Sequence, residues 1–279
     1  MYHKINHFQN ILAVDTATLT QSVALVLGGL LRAERTLVTR RGHAGMLLGT
    51  INAMLDEAGV GLGDLNLLAV GAGPGSFTGL RIGMACLKGL AFARDIPLVA
   101  VSSLAAIACQ AIASDGLIVP VIDARKGELF AGLYRRDRDD GHLRADLPDA
   151  AFLPHALAQA ALALRKPGEP LVLLGPGAPR LYDAIQKIGA EQADGVNLAD
   201  GVNLADGVNL ADGVNLADGV YLADGVFAHP RAAHLALLAA ALSPEDIGPL
   251  DMLEPNYQRL SDAEIHFGPE APDPLRADA

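Results

Sequence analysis

The segment most suggestive of chemistry is a glycine-rich turn, Gly71-Ala72-Gly73-Pro74-Gly75-Ser76-Phe77-Thr78-Gly79-Leu80-Arg81-Ile82-Gly83. It follows an apolar run, Leu67-Leu68-Ala69-Val70, and opens a predicted helix over 77–94. The free N–H groups of such a strand-turn-helix junction can hold an anion. Generic motifs do not fit it. No Lys-Ser/Thr follows a Gly at Walker spacing, the third Gly of GxGxxG falls on Ser76, and Pro74 breaks a GxSxG elbow. The competing reading is a tight turn in which Ser76 caps the helix.

Two aspartates stand at the ends of predicted strands, Asp15 after Ile11-Leu12-Ala13-Val14 and Asp123 after Leu117–Ile122. Carboxylates so placed can hold magnesium in phosphate-handling enzymes, and they also serve as ordinary turn residues. The loop after Asp15 begins with Thr16 and has no Gly to let the backbone close on phosphate, whereas Arg125, Lys126 and Gly127 follow Asp123. Gly175-Pro176-Gly177 ends another strand. Asp15, Thr16, Gly73, Gly75, Ser76, Asp123, Arg125, Gly175 and Gly177 therefore form the candidate nucleotide or anion cleft. A metal site is not expected, because the one His-x3-His pair, His3/His7, lies in a polar tail. Cys86 and Cys109 sit in apolar helical contexts without metal or CxxC spacing, as inert thiols of a reducing compartment do.

These residues need a scaffold, and the apolar pattern supplies one. Strands are predicted at 11–14, 22–27, 30–38, 67–70 and 97–101, with helices over 43–58 and 77–94 and a third capped by Ser102-Ser103. The second half repeats the grammar with strands at 117–122, 128–135 and 171–174 and helices at 154–164 and about 179–188. Two such halves imply an α/β, two-lobed, internally duplicated fold, with lobes at 11–103 and 104–262 and a fraying tail at 263–279. Gly79, Gly83, Cys86, Gly89 and Ala93 step by four, three, three and four along one helix face. A stripe of small residues lets another element approach closely, either this chain's own sheet or a partner's helix.

The chain has 279 residues, is 51% hydrophobic and carries a net charge of −11, so it can bury a large core but offers no basic face for binding nucleic acid alone. Six of its acids (Asp194, Asp200, Asp206, Asp212, Asp218 and Asp224) belong to an Ala-Asp-Gly-Val-Asn-Leu array between Ala193 and Phe227, with Tyr221 replacing Asn in the fifth copy. The array reads as an elongated surface loop inserted in the second lobe, and a short β-solenoid is the alternative. No apolar run is long enough to cross a membrane and the N-terminus is polar, so a cytoplasmic protein is expected.

Taken together, Ile11–Thr16 with Ser22–Leu25, the Gly71–Gly83 block, Lys88-Gly89-Leu90-Ala91, Val101–Leu104, Asp123-Ala124-Arg125-x-Gly127-Glu128 and Pro255-x-Tyr257-x-Arg259 resemble the TsaB (YeaZ) family. This is the dimerization subunit of the bacterial machinery that makes threonylcarbamoyladenosine in tRNA. The resemblance covers about 11–190 and 228–260, and the repeat array departs from it. It implies the ASKHA fold of actin, Hsp70 and sugar kinases, which is ribonuclease H-like, with the last helix able to return to the first lobe.

The catalytic relative TsaD holds metal through a His-x3-His pair on the helix corresponding to 43–58. Here Leu47 follows His43 at that spacing, so the pair is absent. The resemblance therefore implies a non-catalytic scaffold that needs no cofactor of its own and activates a TsaD-type subunit, with a TsaE-type ATPase joining. ATP and magnesium would be used by those partners, tRNA met only through the complex, and homodimers are possible. The implied interface is the first two helices, with Leu47, Ile51, Gly79, Gly83, Cys86, Gly89 and Ala93. The rival readings are an ATP-binding enzyme of the same fold using the cleft, and a peptidase.

Overall fold

The computed structural model describes residues 7–38, 44–111, 114–137, 141–194, 214–217, 219–223 and 229–257. The first half contains β1 (Ile11–Asp15), β2 (Thr20–Leu27), β3 (Leu30–Val38), α1 (Ala44–Ala58), β4 (Leu67–Gly73), α2 (Phe77–Arg94), β5 (Leu98–Ser102) and α3 (Ser103–Ala108). The second contains β6 (Leu117–Arg125), β7 (Glu128–Arg136), β8 (Leu143–Phe152), α4 (Pro154–Leu164), β9 (Leu171–Leu174), α5 (Ala178–Asp194), β10 (Val214–Ala217), β11 (Val220–Ala223) and α6 (Ala232–Ala240).

Two sheets follow one plan. The first runs β3-β2-β1-β4-β5, and the second runs β8-β7-β6-β9-β11 with β10 added outside β11. In each, the first three strands of the half are antiparallel neighbours and the next two join in parallel. β1 and β4 are buried along their whole lengths, as continuous apolar strands covered on both faces must be. Alternate residues divide the work. Leu12, Val14, Leu68 and Val70 pack under α1 and α2, while Ile11, Ala13, Leu67 and Ala69 face α6.

The second sheet turns Leu117, Val119 and Val121 toward α4 and α5. Ile118, Ile122, Phe130 and Tyr134 on its other face meet Leu104, Ile107 and Ala108 of α3. With Ala106 packed on the first sheet's core, α3 is the wedge between the lobes. The last helix, α6, lies against β1 and β2 of the first sheet.

Three expectations change. The strand β8 is absent from the sequence reading, and α5 runs on to Asp194. Within the hexapeptide array, the described residues 214–217 and 219–223 are not loop: β10 and β11 form a hairpin, with Gly219 at φ +72° just before β11, and β11 pairs in parallel with β9. An array strand thus fills the place that β5 holds in the first sheet. Residues 195–213, His43, Arg259 and the tail 263–279 lie outside the described residues.

Candidate functional site

The cleft candidates fall into two groups, one in each lobe. In the first, Asp15 is buried at the end of β1. Its carboxylate accepts from the Ala17 N–H at 2.9 Å and from the Ser103 hydroxyl at 2.6 Å. Burial pushes the Asp15 carboxyl up to about 6, against the pull of those two hydrogen bonds. Gly71 is required beside it, since a Cβ there would collide with the carboxylate.

The glycine-rich turn closes on the chain itself. The Ser76 N–H donates to the Ala17 carbonyl at 2.7 Å, and the Gly79 N–H donates to the Ser76 hydroxyl at 3.3 Å, so Ser76 is the N-cap of α2. Thr16 donates its hydroxyl to the Gly79 carbonyl at 2.8 Å. A side chain at Gly75 would strike the Ala17 carbonyl, and Gly73 holds a φ of +96°. The Ala17 carbonyl and the Ser76 hydroxyl thus engage two of the N–H donors at this helix start, as a tight turn with an N-cap does.

In the second group, Asp123 is half exposed and accepts from the Arg125 N–H at 2.7 Å and from Arg180 Nη1 at 2.9 Å. Arg180 also donates to the carbonyls of Gly127 and Glu128. It thus staples the β6–β7 turn, in which Arg125, Lys126 and Gly127 all hold positive φ. Gly175 and Gly177 let the β9–α5 turn pack on β6, because a side chain at either would strike Val121. Arg180 was invisible to motif reasoning, since it acts from a helix far along the chain.

The helix stripe splits. Gly79 and Gly83 face inward, where a Cβ would meet Thr16, and Leu47 and Ile51 are fully buried core residues of α1 itself. These four are corrected from candidate contact residues to packing residues. Cys86 is half-buried, while Gly89 and Ala93 are exposed. Burial raises both thiols, Cys109 to about 11, consistent with inert cysteines.

Both α1 and α2 also carry exposed residues that the stripe did not include. Phe92 is 85% exposed, Leu48 and Met46 nearly half exposed, and a Cβ at Gly45, Gly49 or Gly89 would meet nothing. At the start of α2, Arg81 lies over the Phe77 ring at 3.8 Å and donates through Nε to the Tyr257 hydroxyl at 3.1 Å, which anchors the described end of the chain. Among the described residues no group of three His, Cys, Asp or Glu side chains is clustered to hold a metal ion, and no helix is long and apolar enough to cross a membrane.

Comparison with known proteins agrees with this architecture. A family profile described as TsaD, tRNA N6-adenosine threonylcarbamoyltransferase, matches residues 36–174. The Bacillus subtilis tRNA threonylcarbamoyladenosine biosynthesis protein TsaB is 35% identical over 165 residues, covering 59% of this chain and 70% of that protein. The Escherichia coli protein of the same name is 39% identical over 146 residues, covering 52% and 62%. Among solved structures, YeaZ from Pseudomonas aeruginosa is 26% identical with a TM-score of 0.66, covering 89% of this chain and 99% of that one. With the paired sheets of an ASKHA-like α/β fold, the glycine-rich block and this extent of identity in place, the chain belongs to the TsaB family.

Proposed function

We propose that this chain is a non-catalytic subunit in the synthesis of threonylcarbamoyladenosine on tRNA, and that it works by binding a TsaD-type catalytic subunit. The role in that synthesis is supported by the relatives named for it. The observation that carries the binding role is the exposed apolar side chains of α1 and α2. There Phe92, Leu48 and Met46 stand in solvent beside glycines that leave room for a partner's backbone. Exposed large apolar side chains on neighbouring helices are what a helix–helix contact buries.

A second support is the state of the cleft. The first-lobe carboxylate is buried and bonded to Ser103 and Ala17, and the second-lobe carboxylate is paired with Arg180. Both are spent on the chain's own groups, which favours the scaffold over an ATP-using enzyme of the same fold. Nucleotide and magnesium chemistry then belongs to the TsaD-type and TsaE-type subunits, and tRNA is met through the assembled complex.

The test is light scattering after size exclusion, on the chain alone and mixed with the TsaD-type subunit of the same cell. A mixed species is expected, and it should vanish with Phe92→Asp while the melting temperature of the isolated chain stays unchanged. If the two proteins elute independently, with or without the TsaE-type subunit and ATP, the scaffold role fails. Heat on titrating ATP–Mg into the chain alone would instead favour the enzyme.

A further inference from the structure

The crossover from the first lobe to the second begins with two serines whose hydroxyls grip carboxylates of different sheets. Ser103 donates to Asp15 Oδ2 at 2.6 Å, at the end of β1, and accepts from the Gly73 N–H at 3.2 Å. Ser102 donates to Asp149 Oδ2 at 2.5 Å, on β8 of the second sheet, and accepts from the Ala105 N–H at 3.0 Å as the N-cap of α3. The other oxygen of Asp149 accepts from the Tyr134 hydroxyl on β7.

The second sheet is shaped for this contact. The β7–β8 register shifts between Ala131 and Leu133, and a Cβ on the intervening Gly132 would lie 2.5 Å from Asp149 Oδ1 and 2.8 Å from the Tyr134 ring. Only glycine leaves the carboxylate and phenol room to meet there. Both oxygens of a largely desolvated carboxylate are satisfied, one from each side of the lobe boundary, and losing one donor would leave a buried acceptor unpaired.

We propose that the Ser102–Asp149–Tyr134 bridge is an inter-lobe latch, fixing the angle between the two sheets with the chain's own side chains. Ser103 anchors the same junction to the first sheet, so the adjacent hydroxyls divide the two tasks. Burial raises Asp149, with the bonds from Ser102 and Tyr134 opposing it, and burial and the Asp149 charge raise the Tyr134 phenol. The pair thus behaves as a buried hydrogen-bonded unit.

The test is a distance measurement between spin labels on Asp56→Cys in α1 and Gln186→Cys in α5, both exposed positions, in a Cys86→Ser background of the full chain. The parent should give one narrow distribution. Ser102→Ala should broaden it or add a second component, Ser102→Thr should restore it, and Ser103→Ala should leave the width alone. Should Ser102→Ala fail to fold, Tyr134→Phe, which keeps the α3 cap, carries the same expectation. An unchanged narrow distribution in folded Ser102→Ala or Tyr134→Phe overturns the latch, as does equal broadening in Ser103→Ala.

Discussion

The Thr16 carbonyl oxygen stands where a side chain at Gly79 would begin, and the Thr16 hydroxyl lies 2.5 Å from where a Cβ on Gly83 would sit. The first two turns of α2 therefore rest directly on the loop that follows β1. Gly79→Ala and Gly83→Ala should each lower the melting temperature, through overpacking that typically costs about 1–3 kcal/mol. Thr16→Ala should recover part of the loss in Gly83→Ala, because it removes the oxygen in the way. Thermal unfolding of the three variants checks this, and a bulky residue at Gly83 reports on folding before it reports on any partner.

Gly89 presents the opposite case on the same helix. A Cβ there meets nothing, so Gly89→Ala should stabilise the isolated chain by up to about 1 kcal/mol through helix propensity. Gly89→Arg should be at least as stable as the parent, by the same helix propensity, and yet abolish the mixed species with a TsaD-type subunit. Paired melting and co-elution experiments separate the two effects.

Asp15 should make stability depend on pH in a defined sense. Its folded-state value, raised by burial to about 6, lies above the unfolded value of 3.8, so the native state holds the proton more tightly. Stability is then lost as pH rises between those values and is level above about 6. Asp15→Asn removes the buried charge. Its advantage over the parent should be small at pH 4, grow through pH 5 and level off above pH 6, at no more than about 3 kcal/mol. Urea unfolding at those pH values measures it.

Much of this was legible in the sequence because local signals and burial agreed. The limits of α2 follow from Ser76 at its start and Arg94-Asp95 at its end, and the duplicated halves follow from apolar runs bounded by turns. The failures have physical causes. The strand β8 carries Asp146, Pro148 and Asp149 in a half-buried edge, so alternation alone could not find it. The glycine stripe gave spacing but not direction. Whether Gly79 faces a partner or Thr16 depends on where the β1–β2 loop lies, and helical periodicity holds no information on that. The clamp formed by Ser102 and Ser103 joins residues up to 88 positions apart, a relation set by tertiary structure alone.

The repeat array yields a further expectation. Removing one whole copy, residues 205–210, leaves the sequences of β10, β11 and the Asp218-Gly219 turn as they are, so thermal stability should not change. Removing Val220–Ala223 takes away a strand bonded to β9 and a valine buried in the second core, and should lower the melting temperature. Calorimetry of the two deletions decides between a strand of the fold and a dispensable insertion.

Six is an even number, and strand side chains alternate with a period of two. The turn at Gly219 overrides that parity: Val214 and Val220 hold the same place in successive copies, yet Val214 pairs with Ala223 and Ala217 with Val220, so the two equivalent positions stand on opposite faces of the hairpin. One repeated unit, used in two successive copies, thus serves both faces of the sheet that it completes.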